Sequence, residues 1–171
     1  MSIFVRRATV ADAAELAAFG ARVFAATFAK DNTADDMAMF LGANYSPERQ
    51  AREIENPHTT TLLAIDGDTL VAFAQLIASK PPEIVSGDAA VEIARFYVDP
   101  AQHGRGIAQT LMDAVLDHAR VAGRRTVWLG VWERNPRAIR FYGKYGFTDV
   151  GAQPFLLGRD LQTDRVMTRA L

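Results

Sequence analysis

The chain has 171 residues, 49% of them hydrophobic and 23% charged, and a formal net charge of -1. That length allows one domain with a sizeable core, and so even a charge balance has no global attraction for nucleic acid or an anionic membrane. The absence of cysteine excludes disulfides, thiolate metal sites and cysteine nucleophiles.

IFVRRAT reads as a first strand. Asp12 then stands where it caps a helix, with Glu15 three positions on to complete a capping box. Leu16, Phe19, Val23 and Phe24 follow at helical spacing. The polar stretch AKDNTADD interrupts the pattern and MAMFLG resumes it. Ser46 followed by Pro47 starts another helix, which stops before Pro57. TTTLLAI and TLVAFAQLIAS flank Asp66-Gly67-Asp68, a hairpin signal. KPPEIVSGDA is a loop, and AVEIARFYV is a strand rich in β-branched and aromatic residues. The helix after HGRGIA runs to about Ala122, with Gly123 as its stop. RTVWLGV is a further strand, and Asn135-Pro136 opens a helix through Tyr145 that Gly146 ends. Two last strands lie in FTDVGAQ to FLLG and in RVMTRAL.

This order predicts an α+β fold with one parallel crossover in its middle, in a single domain over residues 1–171. His58, His103 and His118 lie too far apart for a metal site, so no metal is expected. No stretch of about 18 apolar residues is free of charges, and the first residues lack a signal-peptide layout. A cytoplasmic protein without a membrane span is the expectation.

HGRGIA places Gly104 and Gly106 around Arg105 directly before a helix. Glycines let backbone N–H groups turn toward a ligand, and the first helical turn has N–H groups without partners. The pattern fits an anion site, with small Ala108 allowing close approach, and it equally fits a plain tight turn. A third glycine for a dinucleotide turn is missing, and so is the GKS or GKT of a P-loop. Further on, Asn135 is placed to cap a helix with its carbonyl oxygen while its amide stays available. Ala138, Phe141 and Tyr142 share one face of that helix. Its aromatics read as core, except for Tyr142 if its hydroxyl reaches a cleft.

With these two blocks the chain resembles the GCN5-related N-acetyltransferase superfamily. The superfamily's acetyl-CoA motif, Gln/Arg-x-x-Gly-x-Gly/Ala, is matched by HGRGIA at Gly106 and Ala108, with His103 departing in the first position. The later block Asn-x-x-Ala-x-x-Phe-Tyr-x-x-x-Gly-Phe is matched at Asn135, Ala138, Phe141, Tyr142, Gly146 and Phe147. RRAT, FAATFAKDN, ARFYVDP and the ending QTDRVMTRAL also resemble bacterial polyamine acetyltransferases of the PaiA type.

The resemblance implies a mixed, mostly antiparallel central sheet with splayed middle strands and helices on both faces. It implies acetyl-CoA as co-substrate, its pyrophosphate held by His103, Gly104, Arg105, Gly106, Ile107 and Ala108. The pantetheine arm would pair along Phe96, Tyr97 and Val98, and Asn135 joins this cofactor set. Tyr142 would serve the leaving thiolate, and a primary amine would attack the thioester directly. Glu92, an acid inside an apolar strand, is the candidate base. Holding a cationic substrate or sitting solvated at a sheet edge are its other readings. For a polyamine acceptor, spermidine or spermine, the arm offers Phe24, Phe28 and Asp31, with Asp35 and Asp36 nearby. A helical hairpin with core aromatics and solvated acids accounts for the same arm. The partners expected are a small amine and, as an option, a second copy in a homodimer. Acetylation of a protein N-terminus, an antibiotic or another small amine stands as an alternative, and so does a non-catalytic CoA-binding regulatory module.

Overall fold

The computed structural model describes residues 2–171. Strand β1 (Ile3–Arg7) leads to helices α1 (Ala13–Phe28), α2 (Ala34–Asn44) and α3 (Pro47–Glu55). Strands β2 (Thr59–Asp66), β3 (Thr69–Ile77) and β4 (Ala90–Val98) come next. Helix α4 (Ile107–Val121), strand β5 (Thr126–Trp132) and helix α5 (Pro136–Lys144) follow, then strands β6 (Thr148–Leu157) and β7 (Asp160–Ala170). These strands form one sheet in the order β1-β2-β3-β4-β5-β7-β6. Every neighbouring pair is antiparallel except β4 and β5, which α4 joins as a parallel crossover. The mixed, mostly antiparallel sheet expected of the sequence is present.

The helices divide between the two faces. Leu16, Phe19, Val23 and Phe24 of α1 bury against Leu63, Ile65, Leu70 and Phe73 with Met37 of α2. On the opposite face Ile107, Leu111, Met112 and Val115 of α4 pack with Tyr142 and Phe147 against Val71, Val91, Val127 and Leu129. Each such side chain, fully buried, contributes about 1.5–3 kcal/mol.

Local signals explain most boundaries. Gly67 takes φ +62° in the hairpin turn between β2 and β3. Ser46 Oγ accepts from the Arg49 N–H at 3.1 Å, and Pro47 opens α3. The cap expected at Asp12 needs correction. Arg6 donates twice to the Asp12 carboxylate, at 2.7 and 2.9 Å, and the Thr9 N–H donates to it at 2.7 Å. Those charge-assisted bonds draw Asp12 backward, away from α1 and Glu15. AKDNTADD interrupts the helices only briefly. Thr33 Oγ1 accepts from the Asp36 N–H at 3.2 Å, so the ADD segment already belongs to α2. Likewise β7 starts at Asp160, ahead of the RVMTRAL segment, because residues 160–164 already pair with β6.

The middle of the sheet sets up the site. Strands β4 and β5 pair in only three rows, Ala90 with Thr126, Val91 with Val127 and Glu92 with Trp128. Beyond them the strands splay, and the β4 edge facing β5 has no ladder partner. On its other edge β4 carries one extra residue, Ala94, because Gln75 pairs with Arg95 while Leu76 pairs with Ile93. A bulge of this kind bends its strand. Beneath it lies a polar network. Arg95 donates to Glu53 at 2.6 Å and lies 5.1 Å over the Tyr45 ring, and Gln75 donates to Glu53 at 3.0 Å. Burial alone would push Glu53 up, but Arg95 and the bonds from Arg49 and Gln75 hold it below its ordinary value.

Tyr45 in turn fills the space over Gly20 of α1, where a Cβ would overlap its ring carbons. Gly-to-Ala in mid-helix ordinarily stabilises by about 0.5–1 kcal/mol. Here Gly20→Ala should instead destabilise by about 1–3 kcal/mol, because the packed ring must shift. Urea unfolding reads the sign, and a gain in stability would show that Tyr45 is free to move.

Candidate active site

At the end of β4 the chain turns through the glycine motif. Asp99 Oδ1 accepts from the Ala101 N–H at 3.0 Å, and a single 3₁₀ turn spans Pro100–Gln102. Gly104 and Gly106 then take φ +82° and +78°. This left-handed conformation strains any residue with a side chain. Gly106 is the N-cap of α4 and offers no side-chain cap. The N–H groups of Ile107, Ala108 and Gln109 therefore open the helix without intrahelical partners. A pyrophosphate fits this cradle, since N–H donors and the positive end of a 15-residue helix converge there. Arg105 leans away along the rim, pairing with Asp66 at 3.1 Å and hydrogen-bonded to Gln102. The His103 side chain interacts with the Val98 backbone and, being partly desolvated, loses basicity.

The splayed edge lies directly upstream. Phe96 and Val98 turn toward α4 and α5, whereas Tyr97 turns to the opposite face. Phe96 packs 5.7 Å from Phe141 and 6.2 Å from Tyr142. Asn135 Oδ1 accepts from the Ala138 N–H at 3.2 Å, as its spacing implies, and so fixes the start of α5. Tyr142 is 8% exposed, and its hydroxyl has no hydrogen-bond partner among the described residues. Burial pushes its pKa well above that of an ordinary tyrosine. A hydroxyl so raised holds its proton and serves as a hydrogen-bond donor.

The substrate-side residues do not all converge. Glu92 is half-buried in the last paired row, between Ile77 and Trp128, and burial raises its pKa. Phe28 reaches the end of β5, 6.0 Å from Trp132. Phe24 lies in the core, stacked 4.4 Å from Phe40 and edge-on to Tyr97. Asp31 and Asp35 are exposed on the outside. Asp36 is tied up, accepting from the Arg159 N–H at 2.8 Å and from Thr33 Oγ1 at 2.9 Å.

Sequence reasoning missed Asp164 of β7. It pairs with Trp132 on one side and Gln153 on the other, so all three side chains share a face. It is 8% exposed, and its carboxylate has neither a hydrogen bond nor an ion pair among the described residues. Burial raises its pKa to about 6. The signal for it lies in register, which a lone QTDRVMTRAL segment does not carry.

A backbone anion cradle, an unpaired strand edge leading from it and a buried tyrosine hydroxyl beside that edge define a class. It is that of transferases whose acyl donor rides on a long, phosphorylated arm. The chain belongs to the acetyltransferase (GNAT) family, whose pattern matches residues 13–147. It is 38% identical over 160 residues to an uncharacterized N-acetyltransferase of Mycobacterium tuberculosis, covering 94% of this chain and 98% of that one. It is 34% identical over 116 residues to the N-alpha-acetyltransferase RimI of the same organism, covering 66% and 68%. Its fold matches the PaiA N-acetyltransferase of Thermoplasma acidophilum, solved with coenzyme A, over 100% of both chains with a TM-score of 0.80 at 22% identity. The protein is thus an acetyltransferase of the GNAT fold.

Two results follow from this geometry. Acetyl-CoA should raise the melting temperature by linkage, and Gly106→Val should abolish the shift while the unliganded fold persists. An undiminished shift in a folded variant would remove the cradle from the account. Asp164 gives a pH signature. Its folded pKa is raised, so its ionisation costs stability as pH rises from about 4 through about 6. Asp164→Asn should therefore be more stable than the parent at neutral pH, by about 1–2 kcal/mol after allowing for residual hydration. The difference should close near pH 4. Thermal melts across that range decide, and a variant less stable at neutral pH contradicts the assigned burial cost.

Proposed function

We propose that this acetyltransferase moves the acetyl group of acetyl-CoA to a primary amine of a polyamine such as spermidine or spermine. The observation that carries the reading is Glu92. It is a half-buried carboxylate with no cationic partner among the described residues, in the last row before the gap and on the face opposite α4. A cationic acceptor supplies the missing charge. The aromatic groups on that face, Trp128, Tyr97 and Trp132, suit a chain of cations separated by methylenes. The PaiA-like motifs and the full-length match of architecture point the same way.

In this reading the cofactor lies along residues 96–98, with its pyrophosphate on the turn from His103 to Ala108 and Asn135 nearby. Glu92 meets an ammonium group of the acceptor. Tyr142 donates a hydrogen bond to the sulfur as it leaves. A second reading has its own support. The similarity to the N-alpha-acetyltransferase RimI of Mycobacterium tuberculosis makes a protein N-terminus the competing acceptor.

An acceptor panel with acetyl-CoA, followed by CoA release, separates the two. Spermidine or spermine should lead in kcat/KM over putrescine, aminoglycosides and N-terminal peptides, and Glu92→Gln should lower that ratio. Strong peptide turnover with negligible polyamine turnover would reject the polyamine reading in favour of the N-terminal one. Tight cofactor binding with no transfer to any amine would favour a regulatory module. Within an active enzyme, Tyr142→Phe should slow single turnover by roughly ten- to a thousandfold with acetyl-CoA affinity nearly intact. An unchanged chemical rate would take Tyr142 out of the mechanism.

A further inference from the structure

Asp164 stands out as a charge that folding buries and leaves alone. A buried carboxylate without a partner is destabilising, so its retention calls for a partner from outside the chain. Its surroundings supply none. Tyr97 faces it from β4, Trp132 from β5 and Gln153 from β6, and Phe28 of α1 covers Trp132. Arg165, next in sequence, is bound to Asp149 at 2.8 Å. Arg95 is committed to Glu53.

Gly130 directs the carboxylate. A Cβ at Gly130 would lie 3.0 Å from Asp164 Oδ2 and 2.7 Å from Gln153 Nε2. Having only hydrogen there, β5 lets both polar groups fold over it, toward the side where β4 has splayed away. Tyr97 is within electrostatic range of both Asp164 and Tyr142. Asp164, at the Trp132 row, thus lies toward the open end of the gap, where the unpaired β4 edge runs. Glu92 lies at the Trp128 row, two residues back along β5 from Gly130, about 7 Å at the rise of a strand. The two carboxylates therefore stand at different rows along the gap, with Asp164 nearer its open end.

We propose that Asp164 is the group that accepts the proton of the attacking ammonium at the open end of the gap, with Glu92 facing a more distant part of the acceptor. The inference rests on the reading of the site as an amine acetyltransferase. Asp164 takes one proton from R–NH3+ and so frees the nitrogen lone pair. That nitrogen bonds to the thioester carbonyl carbon as the C–S bond breaks. The second N–H proton ends on the sulfur, giving the thiol, and Asp164 returns its proton to solvent. The raised pKa of Asp164 brings it closer to that of the proton it must take.

The test uses the full chain, acetyl-CoA and the best acceptor of the panel. Asp164→Asn should slow single turnover by about a hundredfold or more. Acetyl-CoA affinity should stay within about threefold, and the melting temperature should not fall. The residual rate of the variant should climb with pH as free amine accumulates, and Asp164→Glu should restore part of the rate. A rate loss matched by weaker cofactor binding and a lower melting temperature would assign Asp164 a structural role and overturn the proposal. An active parent enzyme with an unchanged Asp164→Asn rate overturns this inference alone. A parent enzyme that acetylates no amine overturns the underlying reading, and the role of Asp164 with it.

Discussion

Parallel strands β4 and β5 have three rows of pairing and then separate. Backbone groups left without ladder partners in the middle of a sheet are costly unless something else satisfies them. The crossover through α4 makes the pair parallel, and the Ala94 bulge bends β4 next to the point where its pairing with β5 stops. An amide-bearing arm laid along the freed edge would complete the pairing, much as an added strand does. The glycine turn lies immediately after that edge, so in the proposed reading one continuous stretch of backbone, from the splay to the first turn of α4, meets both arm and phosphates. In that reading, recognition of the donor rests on main-chain geometry more than on side chains. Replacing Gln or Arg by His103 at the first motif position is compatible with that arrangement.

The two faces of the sheet have different work. On the α4 and α5 face, Phe96, Phe141, Tyr142 and Phe147 form a continuous aromatic cluster that fixes the tyrosine hydroxyl beside the edge. On the other face polar groups are buried at cost. Glu53, Arg95 and Gln75 satisfy one another and hold α3 against the bulge. Glu92 and Asp164 remain unsatisfied by the protein. A truncated buried pair typically costs about 3–5 kcal/mol, so the Arg95 network anchors the bulge that the unsatisfied acids flank. Stability concentrated beside a destabilising site is a common pattern in enzymes.

Much of this was legible in the sequence because the signals were local. Asn135-Pro136, the spacing of Phe141 and Tyr142 and the stop at Gly146 fix α5 without tertiary information. Gly104, Gly106 and the apolar period from Ile107 do the same for the turn and α4. What was not legible depends on partners distant in sequence. Asp12 looks like a helix cap until Arg6 folds beside it. Phe24 and Phe28 have the same composition and spacing signal, yet Phe24 is core and Phe28 reaches Trp132. Asp36 looks like its neighbours Asp31 and Asp35 until Arg159 arrives from the β6–β7 turn. Asp164 reads as one polar residue in an alternating strand. Only the pairing of β7 with both β5 and β6, over a residue without a side chain, makes it a buried charge.

In the proposed mode of binding, the free β4 edge and the glycine turn form one continuous donor site. Backbone amide exchange with and without CoA tests it most directly, since exchange reports the protection of individual N–H groups. CoA should slow exchange together at residues 93–98 and 104–109 and leave the β1–β2 pair unaffected. Slowing at the turn without the strand edge, or at the cavity between Arg7, His58 and His118 instead of either, would contradict the account.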